Sequence, residues 1–257
     1  MTLSELEAIY EDAWLYDQEF RDRARDVAFF RELAMTTGGP VLELACGTGR
    51  ISQPIAEARL EVVGVDVSAP MLERARARAR DAGVAIEYVL GDVRKFEIGR
   101  RFRLAFIAAN ALQHLHDVQS LLAFFDRARV HLDEEGTLAL DVFQPDLRKL
   151  ARASDSVRPH KTFALDDGRV VHVDLAGGYL RDVQILRFVL TYRCEGTVLR
   201  TKDVRMRCFF PEELLALCRL GGFEVVRRIG DYDGRPFTSA SPKQILLCRP
   251  RRGIGGD

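Results

Sequence analysis

Three places in this chain combine residue types and spacing suited to holding a nucleotide-like ligand. The apolar run Val41-Leu42-Glu43-Leu44 stops at Ala45-Cys46-Gly47-Thr48-Gly49, and a helical pattern starts near Arg50. A strand turning through glycines into a helix N-terminus lets a ligand lie against the backbone, because glycine admits positive φ and carries no Cβ. Asp66 ends a second apolar run seventeen positions after Gly49, where a carboxylate can accept both hydroxyls of a ribose. Asp92 ends a third run, directly after Gly91. In open α/β sheets, ligands bind outside the carboxyl ends of the strands, which is where all three fall. A dinucleotide needs a third glycine for close helix–strand packing, and the run here is Gly47-Thr48-Gly49-Arg50-Ile51-Ser52, which lacks it.

Proton chemistry has fewer candidates. His114 and His116 follow a fourth apolar run, and a histidine can take a proton near neutral pH. Helical spacing sets Asn110 and His114 at i and i+4 on one face, which favours His114 over His116. His131, His160 and His172 read as structural or exposed.

The elements that position these residues alternate. Strands are expected at 41–45, 61–66, 85–90, 102–109 and 137–143, with helices at about 50–58, 69–81 and 117–131 between them; Ser68 is placed to cap the second. Two more strands, 223–229 and 243–249, follow a helix opened by Pro211, giving seven in a doubly wound, mostly parallel sheet. Between about 161 and 210 the pattern is consecutive strands, with turn signals at Asp167-Gly168, Gly177-Gly178 and Glu195-Gly196, so an antiparallel β insertion follows strand five. Residues 3–35 read as helix in two pieces, and Trp14, Tyr16 and Phe20 either pack it onto the body or form a flap over a pocket. The expected division is an N-terminal helical flap (1–37), a core (38–150 and 209–250), the β insertion (155–208) and a tail (251–257).

Composition narrows the partners. With 257 residues, 47% apolar and 30% charged, the chain suits one large globular unit. It has 38 basic and 38 acidic residues, which gives no electrostatic reason to expect nucleic acid or an anionic membrane surface. No apolar run of about 18 residues exists to span a bilayer, and the start is acidic and amphipathic, unlike a secretion signal. Five cysteines with no CxxC pair suggest reduced thiols in a cytoplasm and neither disulfides nor a metal site.

The segments ELACGTG, VVGVDVSAPML, LGDVRKFEIGRRF and GGFEVVRR resemble motifs of the class I S-adenosylmethionine-dependent methyltransferases, and within them the bacterial small-molecule enzymes of the methyltransferase domain 25 type. The resemblance covers about residues 10–145 and 205–250, and implies a Rossmann-like fold with S-adenosylmethionine as cofactor and S-adenosylhomocysteine as product. It implies that Glu43 supports the turn, that Ala45, Gly47 and Gly49 make room for the methionine portion, and that Arg50 and Gly91 belong to the same cofactor-binding set. Asp66 would take the ribose diol, Val67 and Met71 would flank the adenine, Asp92 would accept its amino group and Val93 would touch the ring. Asn110 would sit at the methyl-transfer pocket, and Tyr10 or Tyr16 would fold over the cofactor, which favours the flap. Methyltransferases of nucleic-acid amino groups carry Asn/Asp-Pro-Pro-Tyr/Phe after strand four, whereas this chain has Ala108-Ala109-Asn110-Ala111-Leu112.

The chemistry expected is in-line transfer of a methyl group to N or O of a small molecule, with His114 as candidate base and Asn110 and Tyr16 beside the reacting atoms. Tyr179, Gln184, Arg187, Tyr192, Arg205 and Arg207 of the insertion, with the loop 230–241, are candidates to wall the acceptor cavity, or the insertion makes a contact between two copies. Asp141 and Gln144 alternate on strand five, with Gln144 and Phe143 on the acceptor side. The expected assembly is a monomer or homodimer. Two alternatives are a protein that binds the cofactor without catalysis and a nicotinamide-dependent oxidoreductase.

Overall fold

A computed structural model describes residues 3–151 and 156–251, with the side chains of residues 3 and 4 excepted. The expected tail therefore lies outside the described residues beyond position 251. Apolar strands drive the architecture: β1 (Val41–Leu44) and β2 (Val62–Asp66) are buried along their whole length and pair in parallel. With β3 (Glu87–Leu90), β4 (Phe102–Ile107), β5 (Leu132–Phe143), β10 (Phe223–Ile229) and β11 (Lys243–Pro250) they form a seven-stranded sheet in the order β10-β11-β5-β4-β1-β2-β3. Only the pairings of β11 are antiparallel.

Strand alternation sends side chains to both faces, and helices cover each. Leu42, Leu44, Leu138 and Leu140 meet Phe124 and Phe125 of α6 (Val118–Val130) and Leu214 and Leu217 of α8 (Pro211–Leu220). On the other face Val41, Leu104 and Phe106 meet Phe30 and Ala34 of α3 (Arg25–Thr37) and Ile55 of α4 (Ser52–Glu57). Each such fully buried side chain contributes roughly 1.5–3 kcal/mol through the area it removes from water. Local chemistry sets the helix starts. Ser68 accepts the Met71 N–H to open α5 (Ala69–Asp81), and Asp117 accepts the Ser120 N–H to open α6.

The insertion is a second, four-stranded antiparallel sheet of β6 (Arg158–Ala164), β7 (Val170–Leu180), β8 (Ile185–Cys194) and β9 (Thr197–Arg207). One face buries Val171, Val173, Leu190, Tyr192 and Val204 against Ile9 of α1 (Leu3–Tyr10) and Leu15 of α2 (Ala13–Phe20). Glu19 of α2 accepts a hydrogen bond from the Tyr192 hydroxyl (2.9 Å) and pairs with Lys161, while Asp17 of α2 faces the core.

Three expectations need correction. The N-terminal segment is three helices, because Asp12 caps α2 separately from α1. Gly177-Gly178 is no turn: β7 runs through it to Leu180, with Gly177 opposite Phe188 and Gly178 opposite Arg187. Gly177 has φ +141, and a Cβ there would strike the Arg187 backbone, so the glycine serves close approach of strands. β5 also begins at Leu132, five residues earlier than expected, because Glu135-Gly136 is passed within the strand.

Candidate active site

At the carboxyl ends of β1, β2, β3 and β4 lies a cleft of about 900 Å³, counting its open mouth. The β1 turn forms its floor through Ala45 (φ 56) and Gly47 (φ 55), both in the left-handed region. A Cβ on Gly47 would meet nothing within 4 Å, so this bare backbone faces open space. Asp66 reaches back to the turn: its Oδ2 accepts the Gly47 N–H at 2.7 Å and its Oδ1 accepts the Ser68 N–H at 2.9 Å. Burial raises Asp66 above the ordinary carboxylate range, and these backbone N–H groups counter it.

Val67 and Met71 line the same end of the cleft, and Gly91, Asp92, Val93 and Arg94 close it. Burial also works to raise Asp92, yet its carboxyl lies below the usual range because Arg94 binds it through the guanidinium (Nη2 to Oδ2, 2.7 Å) and the backbone N–H. On the opposite side stand Ile107, Ala108, Ala109 and Ala111, followed by His114 and Leu115, with Leu6, Tyr10 and Tyr16 of the N-terminal helices above.

At the end of that apolar wall Tyr10 Oη and His114 Nε2 lie 2.8 Å apart. Burial, and next the neighbouring His116, push His114 down to about 4, so its ring is neutral near pH 7. Burial, Tyr16 and Asp66 raise Tyr10 far above its ordinary value, so its hydroxyl stays protonated. His114 Nδ1 is buried with no hydrogen-bond partner among the described residues.

Of the residues singled out in the sequence, Tyr10, Tyr16, Ala45, Gly47, Asp66, Val67, Met71, Gly91, Asp92, Val93 and His114 line this one cleft. Glu43, Gly49, Arg50 and Asn110 do not. Glu43 is buried beneath the turn, hydrogen-bonded to Ser52, and burial pushes its carboxyl up to about 8. Gly49 (φ +72) faces away from the cleft: a Cβ there would fall against the Tyr88 hydroxyl and Ala75, so its bareness serves packing rather than a ligand. Arg50 forms a two-point ion pair with the buried Asp26 of α3. Asn110 has φ 67, and its Oδ1 accepts a hydrogen bond from Lys243 Nζ. The Asn110–His114 helical face does not exist, because Ala111–His114 is a 3-10 turn entered from a left-handed residue.

None of Tyr179, Gln184, Arg187, Tyr192, Arg205 and Arg207 lines the cleft, nor do Phe143 and Gln144. His116 points to the Arg205 carbonyl (3.0 Å), and His131 is buried against Phe96, accepting the Ile98 N–H. From the 230–241 loop, Tyr232 reaches Asp141, whereas Arg235 pairs with Asp233 at the surface. Sequence reasoning did not assign Leu6, Arg94 or the alanine wall to the site, although Arg94 lies within the LGDVRKFEIGRRF segment. It also missed Asp17, which accepts hydrogen bonds from Thr48 of the turn (2.6 Å) and Arg74 of α5 (2.7 Å). Among the described residues, no cluster of histidine, cysteine or acidic side chains has metal-site geometry, no helix is long and apolar enough to cross a membrane, and all five cysteines are free and buried.

The doubly wound sheet, glycine turn and strand-end carboxylates at one cleft agree with what the chain is similar to: class I S-adenosylmethionine-dependent methyltransferases of the bacterial small-molecule group. A methyltransferase domain model matches residues 41–136. The chain is 27% identical over 217 residues to the cypemycin N-terminal methyltransferase of a Streptomyces species, covering 82% of each chain. It is 30% identical over 138 residues to the dTDP-3-amino-3,6-dideoxy-alpha-D-glucopyranose N,N-dimethyltransferase of Streptomyces fradiae, covering 51% of this chain and 52% of that one. The CcbJ methyltransferase structure from Streptomyces caelestis superposes with a TM-score of 0.76 at 25% identity, covering 96% of this chain and 99% of that one. These likenesses favour methyl transfer over the nicotinamide alternative.

Proposed function

We propose that the chain N-methylates a small amine, with the cofactor lying across the cleft from Asp92 to the alanine wall. Asp66 would take the ribose diol, Asp92 the adenine amino group, Val67, Met71 and Val93 the ring, and the Gly47 backbone the methionine portion. The donor set fits this ligand: Asp66 keeps acceptor capacity beyond its backbone bonds, and the Gly47 side of the turn is open. S-adenosylmethionine supplies a methyl group already activated by its sulfonium charge, so the protein's part is positioning and exclusion of water. Such positioning lowers a barrier by up to about 7–11 kcal/mol.

The single observation that carries the amine reading is the Tyr10–His114 hydrogen bond at the cleft wall. A protonated amine has no lone pair and must shed its proton to solvent on entry; the Tyr10 oxygen, held by His114, keeps a lone pair that can accept an amine N–H and orient the attack. Two relatives named above act on amines, which supports N over O. Tyr10, Tyr16 and Leu6 would form the flap, and the balanced charge of the chain supports a small acceptor rather than nucleic acid. The test is calorimetric titration of S-adenosylmethionine and S-adenosylhomocysteine, followed by a screen of small amines and alcohols for release of S-adenosylhomocysteine. Turnover confined to amines, and lost in His114→Ala with cofactor affinity intact, is the expected result. Turnover confined to alcohols refutes the amine assignment.

A further inference from the structure

Behind the alanine wall, outside the cleft, sits a buried charged cluster that the reaction above does not use. Asp141 is fully buried near the carboxyl end of β5. Its Oδ2 accepts the Ala109 N–H (2.9 Å) and the Tyr232 hydroxyl (2.6 Å), and its backbone carbonyl accepts the Asn110 N–H (3.2 Å). Lys243 of β11 pairs with its Oδ1 at 2.7 Å, donates to Asn110 Oδ1 at 3.1 Å, and lies over the Tyr232 ring. Everything the cluster holds converges on two residues with unusual backbone: Ala109 (φ 54) and Asn110 (φ 67) are consecutive and both left-handed. Non-glycine residues adopt that region at a cost and keep it only where the surroundings fix it.

We infer that Asp141, Tyr232 and Lys243 are positioning residues for methyl transfer: they hold Ala109 and Asn110 in this conformation and so set the shape of the wall against which the transferred group and its acceptor lie. This rests on the cofactor placement proposed above. The strand order supports the location, since β2 and β3 flank β1 on the adenosine side and β4 flanks it on the other. Ala108, Ala109 and Ala111 line that second end, while Asp141, Tyr232 and Lys243 touch the cleft nowhere. The three act through the backbone they restrain. A buried carboxylate with a lysine partner is a costly arrangement to maintain in an apolar strand, and holding the wall accounts for both groups.

The test uses two probes that differ only at the sulfur and the group it would carry: S-adenosylhomocysteine, and sinefungin, which has a carbon bearing an amine in place of the sulfur. Calorimetric titrations are run on wild type, Tyr232→Phe, Asp141→Asn and Tyr232→Phe/Ala109→Gly, with Ala109→Gly alone as control for the lost methyl. Tyr232→Phe removes one hydroxyl and keeps the ring. It should weaken sinefungin about tenfold and S-adenosylhomocysteine less than twofold, and Asp141→Asn should widen the split. Glycine adopts positive φ without restraint, so Ala109→Gly should restore sinefungin binding in the Tyr232→Phe background. Equal losses for both probes, no losses, or a split that glycine leaves untouched would overturn the inference while the cofactor reading stands. A wild type that binds neither probe removes that reading and the inference together.

Discussion

Asp66 offers the sharpest test of the cofactor placement, because its bonds within the protein can be counted. A carboxylate has about four lone-pair positions. The Gly47 and Ser68 N–H groups take one on each oxygen and the Val67 N–H also bears on the carboxylate, which leaves acceptor capacity for ribose hydroxyls. Hydrogen bonds to a charged acceptor contribute roughly 1.5–3 kcal/mol each, so Asp66→Ala should cost about 3–6 kcal/mol of cofactor binding, on the order of 10²- to 10⁴-fold in Kd. The free protein should also suffer, since two backbone N–H groups lose their acceptor. With water entering the space left, about 2–3 kcal/mol is expected, or roughly 5–10 °C in Tm. Loss of binding alone would therefore not separate a missing ribose contact from a loosened turn. The assay compares S-adenosylhomocysteine with its 2′-deoxy analogue by calorimetry on both proteins. Wild type should discriminate strongly against the deoxy ligand and Asp66→Ala should not. Acidification should mimic the mutant, because binding needs the carboxylate and is lost as pH falls through a pKa that burial has raised. A variant that binds S-adenosylhomocysteine within fivefold of wild type, or still rejects the deoxy analogue, refutes the placement.

Three further outcomes are expected. Glu43 is raised to about 8 in the folded protein against 4.5 unfolded, so its contribution is full below pH 4.5 and declines as pH rises to about 8, on the order of 1.4 kcal/mol per pH unit; Glu43→Gln should flatten that slope in pH-dependent melting and be the more stable protein at pH 9. His114 is lowered to about 4 against 6.5 unfolded, so the unfolded chain binds the extra proton first and stability falls as pH drops from 6.5 to 4; His114→Gln should remove this part of the acid limb, and an unchanged limb in denaturant titrations counts against the buried neutral ring. Gly49→Ala should lose about 2–4 kcal/mol, from left-handed strain of about 1–2 kcal/mol plus the collision with Tyr88, and Tyr88→Phe should recover only the collision part; a Gly49→Ala protein melting like wild type would show that the turn does not pack on Tyr88.

Much of the fold was legible because strands buried on both faces read as short apolar runs, and their ends carry glycine or aspartate. Asp66, Asp92 and Gly47 were found for that reason. Other roles were hidden by rules that depend on three dimensions. Gly49 looks like a second ligand glycine, but only the structure shows Tyr88 behind it. Asn110 and His114 have helical spacing, and a left-handed residue followed by a 3-10 turn breaks the face that spacing implies. Gly177-Gly178 has the composition of a turn and the geometry of a strand crowded by its partner. Asp141 did carry a signal, a lone charge inside the apolar run TLALDVF, since an acid buried there must find partners. What could not be read was that those partners arrive from β11 and from the loop before it, about a hundred residues later.

Helix α2 has an evolutionary consequence. Within four residues it places Tyr16 in the cleft, Asp17 on the glycine turn and α5, and Glu19 on Lys161 and Tyr192 of the insertion. The β insertion is therefore not a module that can be exchanged by cutting at its own two ends. A chimera that imports a foreign insertion must import residues 13–20 with it, or leave Glu19 buried against an apolar surface with its cation gone. Lineages that diversify this sheet are thus constrained to vary it together with a helix more than a hundred positions earlier in the chain.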